Sequence, residues 1–235
     1  MDDIIERLRE ELRRKGDAHT KESGARFFKE DVRLYGLTMP AVDRLAKVYY
    51  EEIRQRSKHD IFTLCEELWQ SGYLEESFVA CNWSHAIRSQ YQPEDIEVFK
   101  RWVSEYVNNW ATCDTLCNHS VGDLLKMYPA QVDNLRRWAR SENRWMRRAA
   151  AVSLIVPARR GRFLDDVFRI ADILLLDADD LVRKGYGWML KAASEAHQSE
   201  VFDYVMRHKA VMPRTALRYA IEKMPPDLKA RAMAK

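Results

Sequence analysis

Apolar residues along this chain recur at intervals of three and four. Ile4, Ile5, Leu8 and Leu12 mark one stripe, Leu45, Val48 and Tyr49 a second, and Ile61, Leu64, Cys65 and Leu68 a third. That interval lines one face of an α-helix, whereas a half-buried strand alternates in twos. Eight glycines and seven prolines in 235 residues are too few to turn an all-β chain about every ten residues. The pattern therefore predicts successive helices with breaks at Gly16-Asp17, Gly36 to Pro40, Gly72, Gln92-Pro93, Tyr128-Pro129, Ser141-Glu142-Asn143, Pro157 to Gly161 and Val211-Met212-Pro213. Pro93 followed by Glu94 and Asp95 suits a helix start, because acids favour the positive end of the helix dipole.

The helices also repeat. Trp145-Met146-Arg147-Arg148-Ala149 aligns on Leu181-Val182-Arg183-Lys184-Gly185 at an offset of 36, as apolar, apolar, basic, basic, small, and a third copy starts at Met212-Pro213-Arg214. Helix pairs repeating about every forty residues are the signature of HEAT-like arrays. The expected fold is an all-α superhelical array of such repeats, one domain over residues 1–235, with Arg148, Lys184 and Arg214 brought to one concave basic face.

Charge sharpens that picture only when split along the chain. The total is +3, yet residues 136–162 hold nine arginines against Glu142 alone, and residues 204–235 hold eight bases against Glu222 and Asp227. The C-terminal half is thus strongly basic, as expected of a surface that meets a polyanion. Arginine outnumbers lysine 26 to 13, favouring the side chain that grips phosphate with two hydrogen bonds. The longest aliphatic run, Ile173 to Leu176, is far short of a bilayer span. The N-terminus is charged from Asp2 onward, so no secretory leader is expected. Cys65, Cys81, Cys113 and Cys117 lack the spacing of a disulfide framework, and a cytosolic location is expected.

The segment Asn108 to Cys117 offers candidate chemistry. On a helix, Trp110 and Asp114 share a face. A carboxylate beside an indole favours a cation, and the sugar becomes oxocarbenium-like when a glycosidic bond breaks. Trp188 lies in Gly185-Tyr186-Gly187-Trp188, where small neighbours admit a close approach. By composition alone, each tryptophan could equally be core and Asp114 a helix cap.

Four motifs in order now carry a resemblance: Trp110-x-x-x-Asp114, Val121-Gly122-Asp123, Ser141 to Ala150, and Lys184 to Lys191. From about Ala25 to its C-terminus the chain resembles the bacterial AlkD family of alkylpurine DNA glycosylases, built from HEAT-like repeats. The resemblance implies a monofunctional hydrolase that removes N3- or N7-alkylated purines, such as 3-methyladenine and 7-methylguanine, from duplex DNA without flipping the base. It places Asp114, Trp110 and Trp188 around the deoxyribose as catalytic residues. It assigns Arg148 to the DNA backbone, and Thr38-Met39-Pro40 resembles the family's loop that touches the opposite strand; Arg144, Lys184, Lys191 and Arg214 are expected to complete the basic DNA contact. The family often has a second tryptophan beside the Trp110 position, where the neighbours here are Asn109 and Ala111; the chain departs from the pattern there, at Met39, where a polar residue is common, and at Phe27, which replaces a tyrosine.

Competing sites are weaker. Cys113, Cys117 and His119 lack a fourth nearby ligand, so no metal is expected and the cysteines read as buried. His197 and His208 flank one helix without a triad pattern, and no Walker or dinucleotide fingerprint occurs, so no nucleotide cofactor is expected. Trp69, Trp83, Trp102, Trp138 and Trp145 read as packing residues. The expected partner is duplex DNA bearing alkylated purines, bound by a monomer in the bacterial cytosol. The alternative is a non-catalytic HEAT-like module that binds DNA structures or a protein partner.

Overall fold

The computed structural model describes residues 3–234. Every regular element among them is helical, and β pairing is confined to an isolated bridge between Arg33 and Tyr73. The α-helices are α1 (Asp3–Lys15), α2 (Ala18–Ala25), α3 (Met39–Ile53), α4 (Lys58–Gln70), α5 (Leu74–Ala86), α6 (Asp95–Glu105), α7 (Trp110–Leu116) and α8 (Gly122–Met127). They continue as α9 (Val132–Trp138), α10 (Arg144–Val152), α11 (Ile155–Arg159), α12 (Leu164–Leu174), α13 (Asp180–Ala193), α14 (Gln198–His208), α15 (Arg214–Ala220) and α16 (Pro226–Met233). A π-helical turn at Cys117–Val121 joins α7 to α8. No described helix is long and apolar enough to cross a membrane. The chain is a helical array, as its periodicity predicts, and its contacts fall into two compact units: Met1–Gln92 with Glu105–Leu116, and Pro93–Ser104 with Cys117–Lys235.

In the first unit, α5 packs on α3, α4 and α7, and α1 lays its stripe of Ile4, Ile5, Leu8 and Leu12 into the core. Two buried carboxylates on α5 tie in the rest. Glu76 accepts Arg9 Nε of α1 at 3.1 Å and the Tyr35 hydroxyl at 2.6 Å. Glu75 accepts three backbone N–H groups, from Tyr35 at 3.1 Å, Gly36 at 2.8 Å and Leu37 at 3.1 Å. Burial and the bond to Glu76 push the Tyr35 hydroxyl pKa well above its ordinary value. Gly36 sits at φ 101°, and a Cβ there would meet the Asp17 carbonyl oxygen at 2.3 Å, so glycine is required. These bonds fix residues 35–37, the irregular lead into α3.

In the second unit, α10, α13 and α15 pack in succession, with α9 on α10 and α12, and α12 on α13. The repeat is visible in its caps. Asn143 accepts the Trp145 N–H at 2.8 Å to start α10, and Asp179, 36 positions later, accepts the Leu181 N–H at 2.8 Å to start α13. The third copy starts α15 at Arg214 with no side-chain cap. Two breaks differ from expectation. Pro157 lies inside α11, and the turn comes after it, where Gly161 and Phe163 both adopt positive φ. Residues 26–38 form a long non-helical stretch, wider than the break expected at Gly36 to Pro40.

Candidate active site and nucleic-acid interface

Trp110 and Asp114 both lie on α7, one turn apart and so on one face. Asp114 is 9% exposed and Trp110 half-buried. Asp114 is not the helix cap: that role falls to Asn109, whose side-chain oxygen accepts the Thr112 N–H at 3.0 Å. Asn109 is itself buried, so the departure noted in the sequence has a structural use. The carboxylate thus sits mid-helix at low exposure, where the reduced dielectric makes a nearby developing positive charge count for more than in water.

The indole is held by the segment between α2 and α3. Its Nε1–H donates to the Phe27 carbonyl at 3.4 Å, and its ring stacks on Phe28 with centroids 5.6 Å apart. Phe27 is exposed, as are Met39 and Pro40 at the start of α3. Within the first unit, therefore, Trp110, Phe27 and Met39 line one pocket.

Trp188 belongs to the second unit, half-buried on α13. The glycines beside it do admit close approaches, but by protein. A Cβ on Gly187 would meet Ala216 O at 2.8 Å and Tyr219 Cβ at 2.7 Å, so that glycine seats α15 against α13. Gly185 instead faces Arg148, with Cγ 3.4 Å from the position a Cβ would take.

The basic residues of the second unit are spent more heavily on the fold than the sequence suggested. Arg136 pairs with Asp166 at 2.5 Å, Arg147 with Asp177 at 2.6 Å, Arg144 with Asp179 at 3.2 Å and Arg159 with Glu195 at 3.2 Å. Each pair links residues 30 to 36 positions apart, so the arginines of one hairpin tie down the next. Arg148 is 5% exposed and donates to the Leu181 carbonyl. Lys184 pairs with Asp180 at 2.8 Å, which raises its pKa through that hydrogen bond against some desolvation. Lys191 pairs with Glu222 at 2.9 Å over the Tyr219 ring. Arg214 is exposed at the first position of α15. A polyanion would thus meet Arg214 directly and compete with acids for Arg144, Lys184 and Lys191.

Cys113 and Cys117 are fully buried, as expected of small core residues, and His119 is exposed. Trp69, Trp83, Trp102, Trp138 and Trp145 are buried packing residues. His197 Nε2 lies 3.1 Å from the Gly161 carbonyl oxygen.

Residues 8–224 match the family model described as DNA alkylation repair enzyme. A solved structure described as a predicted DNA alkylation repair enzyme from Enterococcus faecalis superposes with a TM-score of 0.81 at 17% identity, covering 90% of this chain and 97% of the other. At that identity the likeness establishes a shared fold. No curated protein matches the chain.

Proposed function

Because the chain belongs to the DNA alkylation repair enzyme family, we propose that it is a DNA glycosylase, hydrolysing the N-glycosidic bond of N3- or N7-alkylated purines in duplex DNA. One observation carries the reading: Asp114, 9% exposed, stands one turn from Trp110 on α7. An alkylated purine is already cationic. When its bond to C1′ breaks, the electron pair stays with the base, which departs neutral, and the positive charge passes to the sugar. Such a leaving group needs no general acid, so one carboxylate suffices. Asp114 stabilises the oxocarbenium ion and orients the water that adds to C1′; that water gives up its proton and leaves an abasic site. Trp110 and Trp188 contact the sugar and keep out bulk water. Met39 and Pro40 contact the opposite strand. Arg144, Arg148, Lys184, Lys191 and Arg214 hold the backbone. The lesion stays in the duplex during cleavage, and no lysine forms a covalent intermediate.

Incubating the purified chain with methylated duplex DNA and separating the products tests this reading. Free 3-methyladenine or 7-methylguanine, with alkali-labile abasic sites left behind, is the expected result. DNA bound with no base released would instead establish the non-catalytic module.

A further inference from the structure

The first unit holds a pocket of about 320 Å³ that shares Trp110 and Met39 with the site proposed above and whose remaining lining has no part in the hydrolysis. Phe27, Phe28, Phe78 and Trp110 give it aromatic walls, and Leu37 and Met39 add aliphatic ones. No lysine or arginine lines it, and its one acidic residue, Glu75, has both carboxylate oxygens occupied by backbone N–H groups. Such a lining repels phosphate and sugar and favours a flat, uncharged ring stacked on aromatic faces. Its volume lies at the lower end of small-molecule sites. Thr38, whose side chain makes no capping bond to α3, is among the lining residues and offers a hydroxyl as a polar handle for a ring edge. Trp110 is common to this pocket and to the proposed reacting centre.

We propose that this pocket receives a single unstacked purine ring. The inference rests on the reading that the chain acts on alkylated purines. Hydrolysis itself prepares the occupant: the lesion is cationic while attached and neutral once released, so charge no longer opposes transfer into an apolar pocket beside Trp110. A base turned out of the duplex would present the same chemistry.

Gly24 supplies the test. It lines the pocket, and a Cβ there meets only the Leu34 Cδ1 atom at 3.5 Å, an ordinary contact. Gly24→Leu therefore adds bulk to the pocket without replacing any proposed catalytic residue, and Thr38→Val removes the handle at nearly constant volume. Free 3-methyladenine, titrated calorimetrically into the full chain, should bind the native protein about tenfold more tightly than Gly24→Leu and about threefold more tightly than Thr38→Val. Added 3-methyladenine should slow multiple turnover by the native protein and not by Gly24→Leu, while single-turnover excision stays equal. If free base does not bind but 2-aminopurine placed opposite an abasic site in a duplex changes its emission with the native chain and not with Gly24→Leu, the ring comes from the duplex. Insensitivity of both probes to Gly24→Leu, with both variants folded by circular dichroism, overturns the inference. A native chain that binds free base yet releases none from alkylated DNA overturns the enzymatic reading and leaves the pocket standing.

Discussion

Gly185 and Gly187 occupy the same helix two residues apart, and the structure predicts opposite outcomes for the same substitution. In a helix interior, Gly→Ala gains about 1 kcal/mol from propensity alone. At Gly187 the new methyl would sit 2.8 Å from Ala216 O, 3.1 Å from Ala216 Cα and 2.7 Å from Tyr219 Cβ. None of these atoms can rotate away, so relief requires α15 to shift off α13. Overpacking of this kind costs about 1–3 kcal/mol, and contact with backbone puts the cost at the upper end. Gly187→Ala should lose about 1–2 kcal/mol net, lowering Tm by about 2–8 °C for a chain of this size. At Gly185 the nearest atoms are Arg148 Cγ at 3.4 Å, Arg148 Nη1 at 3.5 Å and Val152 Cγ1 at 3.6 Å, ordinary contacts. Propensity then wins, and Gly185→Ala should melt about 2–4 °C higher than the native chain. Calorimetric melts of the three proteins side by side decide the matter. A Gly187→Ala variant melting at or above the native temperature would refute the argument that this glycine seats α15.

Three further predictions concern groups whose surroundings are visible only in the fold. Glu75→Gln turns an amide N–H₂ toward backbone donors that now share a carboxylate, and should cost about 3 kcal/mol; faster hydrogen exchange at the Gly36 and Leu37 amides checks it, and unchanged exchange contradicts it. Arg148→Ala should destabilise the chain by about 1–3 kcal/mol, because it strips the Leu181 carbonyl of its partner, whereas Arg214→Ala should leave the melt unchanged and lower the slope of log affinity for duplex against log salt by about 1.

Much of the second unit was legible because its signals are local. The 36-residue offset falls on two caps, Asn143 and Asp179, that start equivalent helices. The Trp110–Asp114 spacing lands within one helix for the same reason. What escaped depends on contacts distant in sequence. The end of the irregular stretch, residues 35–37, is held by Glu75, whose bonds reach back 38 to 40 positions. No periodicity marks a buried glutamate as a backbone clamp rather than a surface charge. The arginine-rich run was readable as positive charge, but its partners, Asp166, Asp177, Asp179 and Glu195, lie one hairpin later. Counting charge within the run therefore overstated what remains open to a polyanion. Gly187 was readable as an invitation to close approach; that the visitor is α15 required the packing.

The central claim is that Asp114 performs the chemistry, and single-turnover excision of 7-methylguanine from a defined duplex by Asp114→Asn tests it most directly. Asparagine keeps the size of the side chain and removes its charge. The account predicts native affinity for the duplex and excision slowed by about 10²–10³-fold, the range expected when one stabiliser of transition-state charge is removed. Excision at the native rate by a folded Asp114→Asn protein would contradict it.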